Sequence, residues 1–379
     1  MIGDSLADIV ESNLVTSLSK PQKFEADFIK PGRAAWTWAM LKDSATIYPV
    51  QKKQIDFAAE MGWEYCLVDC FWDTQIGKDR IEELAGYAQS KNVGLLIWYN
   101  SAGNWNTTTF TPRNKLLTPE SRGREFAWLK EAGIKGIKVD FFGGDGQSMI
   151  AYYQDILEDA AQYGLLVNFH GCTVPRGWNR TYPNLVAMES VKGFEYATFE
   201  QANADQVVSH CAMLPFTRNV VGPMDFTPVS FLETPGIERK TSNAFELALS
   251  VLFQSGIQHY ALIPEDFEET PDFVKQFLKD LPPSWDDIKY VDGYPGKYVV
   301  LARKSSKGWH VAGINASLAS LKLNLKLSFT SSGGQGSLIT DGDDSRKFSQ
   351  RNIMLGESGD LDIEIKSNGG AVLFLPDKD

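Results

Sequence analysis

The alternation of two kinds of segment between about residue 34 and residue 281 constrains the fold of this chain more than any other feature. Short apolar runs, rich in aromatic and β-branched residues, are each followed by a segment whose apolar residues recur with helical spacing. A strand that is repeatedly followed by a helix predicts a parallel sheet joined by crossover connections. The runs are apolar almost throughout, which is typical of strands buried on both faces.

Eight strands with intervening helices over about 250 residues favour a closed (β/α)8 TIM barrel over an open doubly wound sheet. The glycine-rich fingerprint of a dinucleotide-binding sheet does not follow the first strand. We therefore predict an α/β chain built on a (β/α)8 barrel. The predicted strands cover residues 34–40, 63–70, 93–100, 136–142, 165–171, 185–190, 219–226 and 257–263, and the predicted helices cover 50–61, 78–91, 118–132, 147–163, 198–213, 241–254 and 271–280.

The segments on either side of the barrel follow other patterns. Residues 1–30 predict a lead-in made of one amphipathic helix and a linker, and residues 31–284 hold the barrel. Residues 285–379 contain short alternating strands separated by Gly, Asn or Asp, which predict a small antiparallel C-terminal β-domain. Its predicted strands cover 297–304, 309–315, 321–329, 336–342, 361–366 and 370–376.

Composition excludes several classes of function. The formal net charge is −11, so the chain lacks the basic surface that nucleic-acid binding requires. No apolar run is long enough to span a membrane, and the first residues, MIGDSLADIVESNLVTSL, lack the basic start and apolar core of a signal peptide. The four cysteines show no metal-ligand spacing, and we expect them to be free thiols.

Carboxylates and aromatic residues recur at the ends of the predicted strands. The active sites of such barrels lie at the C-terminal ends of the strands. No Ser-His-Asp pattern, GxSxG turn or His-rich metal cluster is present, so paired carboxylates beside aromatic rings indicate acid/base chemistry on a carbohydrate. The candidate set is Trp36, Trp38, Asp69, Trp98, Asn100, Asp140, His170, Glu189 and Asp225.

The stretch GIKGIKVDFFGGDG (133–146) places a charge pair inside an apolar strand. Alternate residues of a strand share a face, so Lys138 and Asp140 should point into the barrel together with Phe142, and Phe141 should face the helices. A nearby cation favours the ionised carboxylate, which a glycosidase nucleophile needs. The glycines that follow predict a tight turn with room for a sugar above the carboxylate.

A second carboxylate must serve as general acid and base. The stretch AMESVKGFEYATFE (187–200) offers Glu189, Glu195 and Glu200. Glu200 lies in a predicted helix and should be solvated. Glu195 lies in a predicted loop beside Tyr196, where burial would raise its pKa as a general acid requires. Spacing alone leaves Glu189 and Glu195 as alternatives.

Five ordered motifs carry a family resemblance from about residue 20 to the C-terminus. The chain resembles glycoside hydrolase family 97 in PGRAAWTW (31–38), IKVDFF (137–142), NFHGC (168–172), RTYPN (180–184) and ESVKGFEY (189–196). The resemblance implies an exo-acting α-glycosidase that has an N-terminal β-supersandwich, a central (β/α)8 barrel and a C-terminal β-domain. It also implies a calcium ion in the active site and a periplasmic or secreted location.

The resemblance assigns roles to the carboxylates. Asp140 matches the nucleophile of the retaining members and Glu195 the general acid/base, while Glu189 matches a calcium ligand and Glu195 lies close to the ion. Inverting members carry a glutamate directly after the histidine of strand five and lack the aspartate after strand four. This chain has Gly171 at the first position and Asp140 at the second, which implies the retaining, α-galactosidase-like branch.

The resemblance also sets the alternatives. An α-glucosidase or a β-L-arabinopyranosidase would use the same framework, and a catalytically impaired carbohydrate-binding fragment is the alternative from another class. The chain begins near the family's linker helix, and the absent supersandwich contributes a calcium-ligating glutamate, so we expect an incomplete ion site. The substrate-binding candidates are Lys138, Asp69, Trp36, Trp38, Trp98, Asn100 and His170.

Overall fold

A parallel sheet forms the centre of the protein. The structure, a computed structural model, describes residues 1–104, 106–330 and 333–377. The central strands are β1 (Gly32–Trp36), β2 (Tyr65–Val68), β3 (Gly94–Asn100), β4 (Gly136–Asp140), β5 (Leu166–Phe169), β6 (Leu185–Met188) and β7 (Ile257–Tyr260). They lie in the order β6-β5-β4-β3-β2-β1-β7, and every neighbouring pair is parallel. The (β/α)8 prediction is confirmed as a nearly closed barrel of seven full strands.

The eighth strand, predicted over 219–226, is wrong as a strand. Residues Asn219–Val221 form a 3-10 helix, and only Met224 makes a parallel bridge, to Met188 of β6. Backbone hydrogen bonds close the barrel instead, among them Met224 N to Gln254 O at 2.9 Å, Gly256 N to Val186 O at 2.9 Å and Asp225 N to Met188 O at 3.1 Å. The segment around Met224 therefore fills the place of a strand without the length of one.

Helices cover the barrel much as the periodicity predicts. Thr118 caps its helix by accepting a hydrogen bond from Ser121 N, and Pro119 opens the helix as expected. The prediction over 198–213 is wrong as one helix, because the segment breaks at Asp205. The α-helices are Leu6–Val10, Leu14–Ser17, Trp38–Leu41, Tyr48–Met61, Trp72–Gln75, Lys78–Ser90, Pro119–Glu131, Gln147–Gln162, Trp178–Thr181, Phe194–Ala197, Gln201–Ala204, Val207–Met213, Asn243–Leu252 and Asp272–Asp280, and the other 3-10 helices are Asp43–Ala45, Leu214–Phe216 and Pro264–Phe267.

Antiparallel strands form the C-terminal part of the described chain. They are β8 (Asp287–Tyr294), β9 (Tyr298–Ser305), β10 (Gly308–Asn315), β11 (Leu321–Lys326), β12 (Gln335–Asp341), β13 (Phe348–Met354), β14 (Asp360–Ile365) and β15 (Gly370–Pro376). One sheet has the order β13-β12-β15-β10-β9-β8, and β11 pairs with β14. Sequence reasoning missed β8 and β13, the two edge strands of the larger sheet; β13 is largely exposed and β8 is largely half-buried.

The C-terminal sheet packs on the fully buried helix Asn243–Leu252 of the barrel. Gly370 lies so close that an added Cβ would meet Ala244 O at 2.4 Å. From β9, the buried Arg303 donates to the last carbonyls of this helix, Val251 O at 2.7 Å and Leu252 O at 3.0 Å. The barrel and the C-terminal sheet are thus joined by packing and by charged hydrogen bonds.

The lead-in, residues 1–30, contacts both the barrel and the C-terminal sheet. It contains two short helices rather than the single helix predicted, with a break between Val10 and Leu14. Glu11 accepts a hydrogen bond from Tyr290 N of β8 at 2.8 Å, and Ser19 Oγ donates to Arg176 O at 2.9 Å. Among the described residues no helix combines the length and apolar content needed to cross a bilayer, and all four cysteines are free, as predicted.

Candidate functional site

Asp140 is the last residue of β4 and lies at the C-terminal mouth of the barrel. Its Oδ1 accepts a hydrogen bond from Phe141 N at 2.8 Å, and its Oδ2 accepts one from Trp98 Nε1 at 3.2 Å. The Lys138 ammonium lies 3.9 Å from the same Oδ2. Burial raises the pKa of Asp140, and the charges of Lys138 and His170 oppose that rise. The carboxylate is therefore fixed in orientation and faces a cation, as the sequence predicts.

The alternation of β4 holds only as far as Asp140. Lys138 and Asp140 point inward, as predicted. Phe141 takes a left-handed backbone with φ of 65°, which breaks the alternation and turns its ring into the same cavity as Asp140. Phe142 then points outward, where its ring stacks on Tyr153 with centroids 4.0 Å apart. The predicted faces of the two phenylalanines are therefore reversed.

Lys138 connects three functional candidates. Its Nζ donates to Asp69 Oδ2 at 3.1 Å and lies 4.1 Å from the centre of the Trp36 ring. Trp36 Nε1 donates to the same oxygen of Asp69 at 2.8 Å. Burial lowers the pKa of Lys138, but Asp69 and Asp140 outweigh it, and the pKa is raised overall. Lys138 is therefore a buried, permanent cation between two carboxylates.

Glu195 lies in the short helix Phe194–Ala197, where the sequence predicts a loop. Phe194 N donates to Phe226 O at 2.8 Å, and a Cβ on Gly193 would meet the same oxygen at 2.8 Å, so this turn is held tightly against the barrel. Burial raises the pKa of Glu195 to about 8, with a further contribution from Glu189. The predicted direction of the shift is correct.

Glu189 follows β6 and faces the end of β5. Its Oε2 accepts a hydrogen bond from Gly171 N at 2.7 Å, and its Oε1 lies 3.7 Å from His170 Nδ1. Ligand atoms of His170, Glu189 and Glu195 all lie within 4.8 Å of one another. His170 Nδ1 is buried and has no hydrogen-bond partner in the described chain. The carboxyl oxygens of Glu189 and Glu195, with His170 beside them, form a candidate cation site at this spacing.

A layer of polar residues lies behind His170. Asp225, buried between the strands, accepts a hydrogen bond from His170 Nε2 at 2.7 Å and one from Asn168 Nδ2 at 2.5 Å. Although burial alone would lower the pKa of His170, Glu189 and Asp225 bring it to about 9. Burial would raise the pKa of Asp225, but the two nearby histidines hold it well below its usual range. Asp225, a candidate for contact with sugar hydroxyls, thus faces His170.

A cavity of about 270 Å³ opens at this end of the barrel. Seven of the predicted candidates border it: Trp38, Asp69, Trp98, Lys138, Asp140, Glu189 and Glu195. Sequence reasoning missed Cys70, Phe110, Tyr196 and Phe199, which also border it. Cys70 follows a strand end and Tyr196 and Phe199 follow Glu195, whereas Phe110 lies in the loop after β3 and has no signal in the sequence. The lining combines carboxylates, one cation and aromatic rings.

Three substrate-binding candidates lie outside this lining. Trp36 is 1% exposed and supports Asp69 and Lys138 from behind. The amide of Asn100 is engaged by the backbone, because Oδ1 accepts from Ala102 N at 2.9 Å and Nδ2 donates to Phe110 O at 3.2 Å. His170 sits beneath Glu189. The structure therefore places these three as supports of the site rather than as cavity walls.

The fold and the site together define a class. A (β/α) barrel with a partly buried carboxylate pair and aromatic walls at its C-terminal face is the arrangement of a glycoside hydrolase. The family model described as Glycoside hydrolase 97 matches residues 28–191, and the one described as Glycosyl-hydrolase 97 C-terminal, oligomerisation, matches residues 284–376. The chain belongs to glycoside hydrolase family 97.

Two relatives found by sequence comparison support membership of this family. The chain is 35% identical to a probable retaining alpha-galactosidase of Streptomyces bingchenggensis over 98% of this chain and 56% of the relative. It is 29% identical to a retaining alpha-galactosidase of Bacteroides thetaiotaomicron over 97% of this chain and 58% of the relative. The chain therefore spans less than two thirds of the length of these relatives.

Solved structures agree. The crystal structure of a beta-arabinopyranosidase superposes with a TM-score of 0.94 at 39% identity, covering 98% of this chain and 60% of that one. A family 97 enzyme from Pseudoalteromonas in complex with panose superposes with a TM-score of 0.83 at 22% identity, covering 98% and 64%. At that identity the second comparison supports the fold alone.

Proposed function

We propose that this chain carries the catalytic barrel of a retaining, exo-acting glycoside hydrolase, and that its substrate is an α-galactoside. The observation that carries the proposal is that Asp140 and Glu195, two carboxyl groups with different surroundings, border one small cavity. Two carboxyl groups in different environments are what acid and nucleophile roles require. The names of the relatives support an α-galactoside.

Asp140 suits the role of nucleophile. Its carboxylate is oriented by Trp98 Nε1 and Phe141 N, so an oxygen is held toward the cavity before substrate arrives. In the first step this oxygen forms a bond to the anomeric carbon while the bond to the leaving oxygen breaks. The Lys138 charge favours the ionised form that this attack needs.

Glu195 suits the role of general acid and base. With a pKa of about 8 it is protonated at neutral pH and can give its proton to the leaving oxygen. The resulting carboxylate then takes a proton from water, whose oxygen attacks the anomeric carbon and releases Asp140. Two displacements at the same carbon retain its configuration.

The calcium ion that the resemblance implies fits the residues present. Glu189 and Glu195 would hold it, since their carboxyl oxygens lie near one another and calcium takes oxygen ligands; Glu195 would use the oxygen that does not carry the proton. A bound calcium ion supplies positive charge that stabilises neighbouring carboxylates. Around it, Asp69 and Lys138 are placed to hydrogen-bond sugar hydroxyls, and Trp38 and Trp98 to pack on the ring.

Hydrolysis of an aryl α-galactoside, with and without calcium, tests the activity. We expect Asp140→Ala to lose it and azide to restore turnover as the β-galactosyl azide, because azide takes the place of the nucleophile. For Glu195→Ala, azide should give the α-galactosyl azide instead. Asp145→Asn, an exposed aspartate in the loop after β4, is the matched control and should keep wild-type activity.

Stereochemistry provides an independent check. Proton NMR of the first product should show α-galactose, and β-galactose would contradict retention. Absence of hydrolysis by the wild-type chain, with binding of galactose retained, would favour the carbohydrate-binding alternative. The periplasmic or secreted location implied by the resemblance is part of the same proposal, and fractionation of the native cells tests it.

A β-L-arabinopyranosidase is the second candidate. The superposition at TM-score 0.94 and 39% identity favours it. The two sugars differ at C5, where galactose carries a hydroxymethyl group that arabinopyranose lacks. The ratio of kcat/KM for the two aryl glycosides decides between them, because both reactions use the same Asp140 and Glu195.

A further inference from the structure

An exposed aromatic ring lies at the mouth of the catalytic cavity. Phe199 borders the cavity and is 52% exposed, although phenylalanine is usually buried in folded proteins. It follows Glu195 by four residues, and Phe199 N donates to Tyr196 O at 3.3 Å, so about one turn of chain connects the ring to the proposed acid. Because the ring borders the cavity and is open to solvent, it is a candidate for contact with substrate.

Three side chains hold the Phe199 ring in place. The Trp38 ring meets it edge-on with centroids 6.3 Å apart, and the Tyr196 ring meets it edge-on at 5.6 Å. Lys42 Nζ lies 5.1 Å from the centre of the Phe199 ring and 4.8 Å from the centre of the Trp38 ring. The same ammonium donates to Thr198 Oγ1, of the preceding residue, at 2.5 Å. The ring is therefore fixed in orientation before a ligand arrives.

The mechanism determines which part of the substrate meets this ring. The nucleophile and the acid flank the bond that breaks, so the leaving group departs on the side of the acid, Glu195. The cavity, at about 270 Å³, is at the lower end of the sizes of ligand sites, roughly 300–1,000 Å³, and suits a single sugar ring. The rest of the substrate must therefore extend past Glu195, where Phe199 lies.

We propose that Phe199 is the binding surface for the leaving group, that this group is itself a sugar residue, and that Lys42 is a positioning residue that holds the ring. A pyranose ring has an apolar C–H face that can pack on an aromatic ring. The half-buried hydroxyl of Tyr196 and ammonium of Lys42 beside the ring suit the hydroxyl groups of a sugar. This inference rests on the proposed function, because it uses the role of Glu195.

Two substrates that differ only in the leaving group test the inference. Melibiose carries glucose as its leaving group, whereas α-galactosyl fluoride carries a single atom in place of a ring. We expect Phe199→Ala to lower kcat/KM on melibiose by about tenfold, the effect of losing one apolar contact, and to leave kcat/KM on the fluoride unchanged. Phe199→Tyr keeps a ring and should keep the wild-type ratio of the two constants. If the enzyme prefers arabinopyranosides, the matching arabinopyranosyl pair replaces these substrates.

Tyr294→Ala is the matched control. Tyr294 lies on β8, is 57% exposed and has Lys297 Nζ 4.8 Å from its ring centre, so it resembles Phe199 in exposure and in its neighbouring cation. This variant should change neither constant. If Phe199→Ala acted by displacing Glu195, the basic limb of its pH–rate profile would also move, because that limb reports the acid. We expect the limb to stay in place.

Lys42→Met tests the positioning residue. Without the ammonium the ring is held less firmly, so we expect a smaller loss on melibiose than in Phe199→Ala and again no loss on the fluoride. The double variant Phe199→Ala/Lys42→Met should lose no more than Phe199→Ala alone, because Lys42 acts through the ring. Additive losses would contradict this role of Lys42.

Calorimetry separates binding from hydrolysis. Asp140→Ala, which lacks the nucleophile, should bind melibiose more tightly than galactose, and adding Phe199→Ala should remove that difference. Equal affinity of Asp140→Ala for the two sugars would overturn the inference, and so would an unchanged ratio of kcat/KM, or equal losses on both substrates, in Phe199→Ala. If the wild-type chain hydrolyses neither substrate, the proposed function is wrong, while the binding experiment still tests Phe199.

Discussion

A side chain at position 171 and the carboxylate of Asp140 compete for the same space. A Cβ added to Gly171 would lie 2.9 Å from Asp140 Oδ1 and 2.9 Å from Phe141 N, closer than such contacts occur in folded proteins. Gly171 also has a φ of 49°, a left-handed conformation that favours glycine. In the sequence, the glycine after His170 and the aspartate that ends β4 are two separate signs of a retaining enzyme. The structure links them, because a side chain at position 171 would occupy the space that the Asp140 carboxylate needs.

We expect Gly171→Ala to displace the Asp140 carboxylate and to lower kcat/KM on an aryl galactoside by about 100-fold, since misplacing a catalytic group by about 1 Å has that effect. Left-handed backbone at alanine costs a further ~1–2 kcal/mol of stability. Steady-state kinetics and urea unfolding measure the two effects separately.

Gly62→Ala is the matched control for Gly171→Ala. Gly62 has a φ of 65°, but no heavy atom lies within 4 Å of the position its Cβ would take. This variant should lose stability to a similar extent and keep its activity. Wild-type kcat/KM in Gly171→Ala would show that Asp140 does not need the space above Gly171.

The strand ends could be predicted because the topology dictates them. The carboxyl ends of parallel strands meet at one edge, so Asp69, Asp140 and Glu189 had to lie together once the alternation was recognised. The direction in which each side chain points was harder to predict. The left-handed backbone of Phe141 turns its ring to the face opposite to the predicted one. The side chain of Asn100 bonds the backbone of the loop that follows it. Neither feature changes the spacing of apolar residues in the sequence.

The elements that the sequence did not predict are stabilised by contacts with distant parts of the chain, which local sequence patterns do not reveal. Met224 makes one bridge where a strand was expected, and its segment is fixed by the buried Asp225 rather than by strand propensity. The edge strand β13 faces solvent and therefore lacks the alternating apolar pattern that marks a strand, while in the half-buried β8 a register shift between Tyr290 and Asp292 interrupts the alternation. The role of Asp225 as a partner of two histidines likewise depends on residues distant in sequence.

Lys138→Met should destabilise the protein strongly. It removes the cation that Asp69 and Asp140 share and leaves the buried Asp69 and the partly buried Asp140 without it, a change that costs about 3–5 kcal/mol. Because Lys138 lowers the pKa of Asp140, its loss raises that pKa, and the acid limb of the kcat/KM profile should move to higher pH. Urea unfolding and a pH–rate profile measure these effects.

Lys326→Met is the control for Lys138→Met. Lys326 pairs with Asp360 on the surface, and its side chain is 67% exposed. Removing an exposed pair should change the free energy of unfolding by less than about 1 kcal/mol and leave the pH profile unmoved. Equal losses in the two variants would contradict a special role for the buried cation.

Arg303→Met should weaken the junction between the barrel and the C-terminal sheet. It leaves Val251 O and Leu252 O buried without their donor, and each unpaired carbonyl costs about 1–3 kcal/mol. We expect a lower midpoint of thermal unfolding and faster proteolysis between residues 281 and 287. Arg351→Met, on the exposed face of β13, should change neither, and equal proteolysis of the two variants would contradict this account.

His310 should make the protein sensitive to acid. It is 3% exposed in β10, its ring lies 4.6 Å from Phe374, and burial lowers its pKa to about 4. The charge of Lys307 adds to this lowering, and that of Asp280 opposes it. A histidine in an unfolded chain has a pKa of about 6.5. Between these two values the unfolded chain binds more protons, so stability must fall as the pH decreases from about 6.5 to about 4.

The size of this loss is set by the two pKa values, and His310 contributes up to about 3 kcal/mol of it. His310→Phe keeps the aromatic packing beside Phe374 and removes the titrating group, so its unfolding free energy should decline less over the same range. Lys307→Met, which removes a charge that lowers the pKa of His310, should reduce the decline slightly. Urea unfolding at several pH values measures all three proteins, and an equal decline in wild type and His310→Phe would assign the acid sensitivity to other groups.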